Sequence, residues 1–477
     1  MTMDFKVALV GCSQLSFFGD KESRYSKTVN DLREFLKPLK ADLYVYPEQI
    51  IVADDAKKAL KVIEGEKPDF LLVQCTSFSA GFLAQIFVNA GYPLGWWAIP
   101  EDAEGEYCLF NSFCSINMYQ AINRCYYNEE QYPAKWYFGE VNDPLFADRM
   151  KVTIRALRAI KRARTSRIAL IGGIAPGFVD LYFDERKLLR LFPGMEYDRL
   201  PEFDDIAALA ESYPESEIIA EAEAYEAAAV KGVNPVSAQH KLLNIRLLRA
   251  YREFVAKNKY DAIAVSCWPK FQSRYDYSVC SVVGQLNDEG IPTSCEGDPL
   301  SAVSMLMLQE MSDEPTMLMD LSAFDQKDDT VLLWHCGPAA KNFCCKDGYG
   351  LGLNYSGKAH GETITGTGCA RDMVFAPDRV TIGRLSAELD SMFVAGGQLL
   401  DPSKKTSIAG SRGWMGDIQL AGEDISALEF VNTILSQGIS HHYPICKGDL
   451  QAELMEISAW LKLAVTQKTP YKTWLQM

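Results

Sequence analysis

The feature that most constrains this chain is a regular alternation of short apolar runs with helix-patterned stretches. Residues 5–10 form an apolar run with β-branched side chains, closed by Gly11. Helical spacing follows over 25–39, an extended run over 42–46, a second helical stretch over 54–64 and another apolar run over 70–74. A helix to about residue 90 and a run over 93–98 continue the pattern. Strands separated by helices pair in parallel, with helices covering both faces of the sheet. The same opening recurs at 167–171, where an apolar run leads into Gly172 and Gly173. A basic helix over 149–164 lies between the two, which puts a domain boundary near residue 164. From about residue 326 the chain turns to short strand-like runs broken by glycine and turn residues, the pattern of an antiparallel sheet or barrel. The expected class is α/β. Two doubly wound parallel-sheet domains, at 1–164 and 165–325, precede a C-terminal antiparallel β-barrel-like domain at 326–477. The second is expected to carry the catalytic carboxylates.

Charge narrows the partners. Asp and Glu outnumber Lys and Arg by 63 to 48, a formal charge of −15. That excess argues against nucleic acid and anionic membranes. No run of 18 apolar residues marks a transmembrane helix. The first residues enter a strand directly, with Asp4 where a signal peptide would be basic. Thirteen cysteines without zinc-type pairs read as reduced thiols, so a cytoplasmic location is expected. The loop 11–20 follows the first strand, where such sheets bind ligands, but it lacks GxGxxG and so does not indicate a dinucleotide. Asn117 and Gln120 are candidates for sugar hydroxyls, set against a reading as helix-capping and surface residues. Lys270, Arg274 and Arg371 are candidates for an anionic substituent, set against a reading as ordinary surface charge.

The chemistry concentrates in 291–337. Three apolar runs there end on Glu296, with Asp298 just beyond, on Asp320 and on His335. Side chains at strand ends converge beside a sheet. Glu296 and Asp320 stand 24 residues apart, the spacing of successive strands joined by one helix. Only five histidines occur in 477 residues, and His335, His441 and His442 fall in this stretch and in 438–450. Two carboxylates and imidazoles suit a divalent cation and acid–base chemistry.

These pieces resemble, in order, the L-fucose and L-arabinose isomerase superfamily. Cys295-Glu296-Gly297-Asp298 is similar to the fucose-type segment with a metal-binding glutamate, and Asp320 to that group's second carboxylate. Trp334-His335-Cys336-Gly337 resembles the arabinose-type histidine segment, and 440–449 the C-terminal histidine segment of both groups. Residues 11–19 are similar to an arabinose-type first loop and 375–385 to a fucose-type strand. The resemblance implies a fucose isomerase-like homo-oligomer, often a hexamer, and Mn²⁺ with Mg²⁺ or Co²⁺ as substitutes. It implies Glu296, Asp320 and His442 as metal ligands, with His335 a further candidate. On the substrate side it implies Gln14, Asn117 and Gln120, and His441, which is able to exchange roles with His442.

Aldose–ketose isomerisation moves a proton between two carbons of an open-chain sugar through a cis-enediol. Glu296 and Asp320 would divide the proton transfers, while a divalent cation steadies the developing charge. A sulfonated hexose such as sulfoquinovose is one substrate option. A non-catalytic sugar-binding protein, which needs no metal, is the competing class, and a metal-dependent lyase or epimerase a further enzymatic one.

Overall fold

A computed structural model describes residues 5–101, 106–126, 133–200, 202–228, 236–354, 359–360, 363–364, 367–402, 404 and 408–475. The chain divides into two compact units, Met1–Lys161 and Arg162–Met477.

The first unit is a five-stranded parallel sheet: β1 (Phe5–Cys12), β2 (Ala41–Ile50), β3 (Phe70–Cys75), β4 (Leu94–Ala98) and β5 (Ala134–Phe138), ordered β2-β1-β3-β4-β5. Strands β1, β3 and β4 are buried almost throughout. That is why they read as unbroken apolar runs rather than as alternating ones. The order reverses at β1 and β3, and Gln14 lies just past the carboxyl end of β1, where such sheets receive ligands.

The second unit holds a four-stranded parallel sheet, β6 (Arg167–Ile171), β7 (Glu196–Leu200), β8 (Ala262–Val265) and β9 (Thr293–Ser294), ordered β7-β6-β8-β9. It also holds a ten-stranded sheet that begins with β10 (Met317–Asp325) and β11 (Thr330–His335). A ring of antiparallel pairings runs from β10 through β11, Ser411–Leu420, Ser391–Leu399, Asp378–Leu385 and His442–Lys447 back to β10. This closes a barrel and leaves no edge on those six strands.

The helix Pro299–Ser312 joins the two sheets. It is buried nearly all round, the signature of a helix enclosed in a core rather than lying on a surface. It packs against β8 on one side and against strands Asp378–Leu385 and His442–Lys447 on the other. One hydrophobic core accordingly runs from β6 and β8 into the barrel.

This corrects the placement of Asp320. It stands within barrel strand β10, paired with Trp334 and with His442, and not at the end of a parallel strand. The run Met317–Met319 is buried on both faces, so its sequence could not tell a barrel strand from a parallel one. Successive strands joined by one helix do carry Glu296 and Asp320, but β9 and β10 belong to different sheets.

Candidate active site

Glu296 follows β9, at the carboxyl end of the parallel sheet. Its backbone is left-handed, φ 60°, and Gly297 beside it has φ 71°. For a residue with a side chain this conformation costs about 1–3 kcal/mol and persists where surrounding structure imposes it. The surroundings are visible: Gly297 N donates to Val265 O at 3.0 Å, and Ala175 N to Glu296 O at 3.0 Å. The loop after β6 thus holds the Glu296 backbone from one side and β8 from the other. A Cβ on Gly297 would sit 2.3 Å from Gly173 O. Gly297→Ala is therefore expected to cost at least about 1–3 kcal/mol from the backbone conformation alone. Thermal unfolding measures that cost, and an unchanged Tm would show that the two loops are not tightly packed.

The carboxylate faces two imidazoles. His441 Nε2 and His442 Nε2 each lie 3.2 Å from Glu296 Oε2. The His441 contact has hydrogen-bond geometry; His442 Nε2 is close but misaligned, and it is buried without a hydrogen-bond partner. Burial opposes ionisation of Glu296, but the two imidazoles outweigh it and hold the carboxyl well below its usual range.

Each imidazole is braced from behind. His442 Nδ1 lies 3.0 Å from Asp298 Oδ2. Asp298 also accepts from Ser301 N at 3.0 Å, as N-cap of the helix Pro299–Ser312, from Ser301 Oγ at 2.6 Å and from Arg384 Nη1 at 2.7 Å. Asp298, Arg384 and His442 are all fully or almost fully buried. Burial works against charge on Asp298, and Arg384 and His442 override it, keeping the carboxylate ionised. Burial likewise works against charge on His442, but its hydrogen bond to Asp298 and the Glu296 carboxylate close to Nε2 raise it to about 10. A carboxylate behind a histidine fixes ring and tautomer, the usual support of a metal-binding imidazole. His441 repeats the design nearer solvent: Nδ1 is 2.7 Å from Asp180 Oδ2, and its ring lies 5.5 Å from that of Phe178.

The third wall is Asp320 with His335. His335 Nε2 lies 4.0 Å from Asp320 Oδ1. Both atoms are buried and unpartnered, as is His442 Nε2. Burial lowers the pKa of His335, against the pull of Asp320 and Glu296, and keeps it neutral. Ligand atoms of Glu296, His441 and His442 fall within 4.8 Å of one another, as do those of Asp320, His335 and His442. The Glu296 and Asp320 side chains keep 17% and 26% exposure, enough to meet a solute, whereas His442 has none. The site is a buried floor with an open rim at His441 and Asp180.

No family model matches the chain. Among characterised relatives, "Sulfoquinovose isomerase" of Priestia aryabhattai is 26% identical over 429 residues, 88% of this chain and 90% of the relative. The protein of that name from Clostridium sp. (strain MSTE9) is 26% identical over 402 residues, 83% and 85% of the two chains. That from Alkalicoccus urumqiensis is 23% identical over 428 residues, 88% and 91%. The chain is an isomerase. A solute-binding protein from Agrobacterium vitis bound with alpha-D-tagatopyranose is 12% identical over 62% of this chain and 93% of its own. Its TM-score of 0.17 is too low to bear on fold or function.

Within its second unit the isomerase brings together Glu296, Asp320, His335, His441 and His442. Gln14, Asn117 and Gln120 belong to the first unit. Gln14 N donates to Ser77 Oγ at 3.0 Å, Asn117 is exposed on the helix Ser112–Tyr126, and Gln120 Nε2 donates to Ala134 O at 3.0 Å. Gln120 therefore ties its helix to β5. The cations considered for an anionic group are paired already: Lys270 with Glu202 at 2.7 Å, Arg274 with Asp204 and Glu211 at 2.9 Å, and buried Arg371 with Asp288 at 2.7 Å.

Sequence reasoning missed Asp180 and Arg384 and treated Asp298 as a mere neighbour of Glu296. Asp298 did carry a signal, since Asp before Pro is a helix start, but one that explains only the cap. No described helix is long and apolar enough to cross a membrane.

Proposed function

We propose that this chain is a metal-dependent aldose–ketose isomerase acting on sulfoquinovose or an aldose of similar shape, through a cis-enediol. The observation that carries this reading is the convergence of Glu296, Asp320 and His442, with buried unpartnered atoms on Asp320, His335 and His442, at one place. Buried polar atoms without partners are costly unless something meets them. Carboxylate and imidazole donors are the set that suits Mn²⁺, with Mg²⁺ or Co²⁺ as substitutes. Glu296, Asp320 and His442 would hold the ion, with His335 beside them. When bound, it would supply Lewis-acid stabilisation of negative charge developing on the sugar oxygens.

The remaining work falls to side chains. Glu296, held ionised by its imidazoles, is the base that takes the proton beside the sugar carbonyl. Asp320, across the site, serves the hydroxyl proton. His441, at the open rim with its ring held by Asp180, meets the substrate from the solvent side. Lys270, Arg274 and Arg371 are each paired with carboxylates, which supports reading them as structural charge rather than as sulfonate ligands.

The test is direct. Purified protein with Mn²⁺ is incubated in D₂O with sulfoquinovose and, separately, with L-fucose, D-arabinose and L-arabinose, and products are followed by NMR. The expected result is conversion of sulfoquinovose to a ketose with deuterium entering at the carbon that loses its proton. EDTA should strip most of the activity and Mn²⁺ restore it. Conversion unaffected by complete metal removal would overturn the metal-dependent reading.

A further inference from the structure

Three imidazoles face this site, and they use their Nδ1 atoms in two opposite ways. His442 Nδ1 lies 3.0 Å from Asp298 Oδ2 and His441 Nδ1 lies 2.7 Å from Asp180 Oδ2. An ionised carboxylate only accepts, so both Nδ1 atoms carry protons. Nε2 is then the position each ring can yield to a cation. His335 is wired the other way. The backbone N–H of Cys336 donates to His335 Nδ1 at 2.8 Å, and the Cys336 thiol lies 3.2 Å from the same atom. An Nδ1 that accepts carries no proton, so the proton of the ring sits on Nε2.

That Nε2 is buried, has no hydrogen-bond partner and stands 4.0 Å from Asp320 Oδ1. The distance is too long for a hydrogen bond between them. To act as a ligand, His335 would have to move its proton to Nδ1, setting two donors against each other at the Cys336 amide. We infer that His335 is not a ligand of the divalent cation but a hydrogen-bond donor, through Nε2–H, to a substrate oxygen lying between it and Asp320. The inference rests on the metal-dependent isomerase reading and divides the labour within it. His442 holds the ion, and His335 supplies a preorganised donor where negative charge develops. The closeness of Asp320, His335 and His442 alone would have made all three a ligand set; the tautomer separates them.

The experiment compares His335→Asn, His335→Gln and His442→Asn in the full chain. Each is titrated with Mn²⁺ for affinity and stoichiometry, then assayed for kcat and KM, with Tm and circular dichroism as checks on folding. Glutamine can place its amide nitrogen near the Nε2 position; asparagine reaches only the Nδ1 position. The expected result is Mn²⁺ affinity within about threefold of wild type in His335→Asn, against a loss of roughly 10–100-fold in His442→Asn. With Mn²⁺ bound, His335→Asn should lose about 10²–10³ in kcat, the cost of one preorganised donor, while His335→Gln recovers at least about tenfold of that loss. Loss of Mn²⁺ in His335→Asn to the same degree as in His442→Asn would overturn the inference. So would equal kcat values in metal-loaded His335→Asn and His335→Gln. Wild-type protein that takes up no Mn²⁺ overturns the isomerase-site reading and this inference together, which distinguishes that failure from one confined to His335.

Discussion

Glu296→Gln is expected to abolish most turnover while leaving the fold in place. Loss of a positioned acid–base group alone lowers kcat by about 10²–10⁴, and Glu296 is also a proposed ligand, so the loss should reach the upper part of that range. The amide keeps the shape of the side chain, and the left-handed backbone at this position is unaffected by the change. The Tm should therefore move by no more than roughly 1–2 °C, equivalent to about 1 kcal/mol at this chain size. Asp320→Asn should behave alike, since Asp320 faces the same space from β10. Steady-state kinetics beside thermal unfolding checks both. Near-normal turnover in Glu296→Gln would remove it from the chemistry, because no other described carboxylate approaches both His441 and His442 within 3.2 Å.

Asp298→Ala is expected to have the largest effect on stability. It strips a buried carboxylate from Arg384, His442 and the Ser301 pair at once. Removing one partner of a buried ion pair leaves the other charge uncompensated, at about 3–5 kcal/mol. The helix Pro299–Ser312 loses its N-cap in the same step, a further ~1 kcal/mol. Asp298→Asn separates the two roles. It keeps the volume and one accepting oxygen, so it should be folded. It cannot satisfy Ser301 N, Arg384 and the His442 Nδ1 proton together, so His442 loses its fixed tautomer. A 10–100-fold weaker Mn²⁺ affinity is the expected size of that effect. Denaturant unfolding of the alanine variant and Mn²⁺ titration of the asparagine variant measure the two effects apart. Wild-type Mn²⁺ affinity in Asp298→Asn would mean that Asp298 does not orient His442 toward an ion.

Much of this architecture was legible in the chain, for identifiable reasons. Parallel strands buried on both faces leave unbroken apolar runs, so β1, β3, β4 and β6 stood out. Frequent glycine and turn residues marked the change to antiparallel structure. Glu296, Asp320, His335, His441 and His442 were each visible as polar residues closing or opening such runs. What periodicity could not resolve was which sheet a short buried run joins. The run Met317–Met319 passed for a parallel strand because a barrel strand packed on both sides has the same composition.

The sequence alone determined which residues could do this chemistry and the class of layers that would present them, because residue type and hydrophobic period are local properties. Only the tertiary structure decided how those residues are wired. Asp180 meets His441 across 261 positions, and Arg384 meets Asp298 across 86. Neither pairing leaves a local trace. The partner of each Nδ1 sets which imidazole offers a lone pair and which a proton, and that partner is chosen by the packing of the barrel on the parallel sheet, through the buried helix Pro299–Ser312 between them.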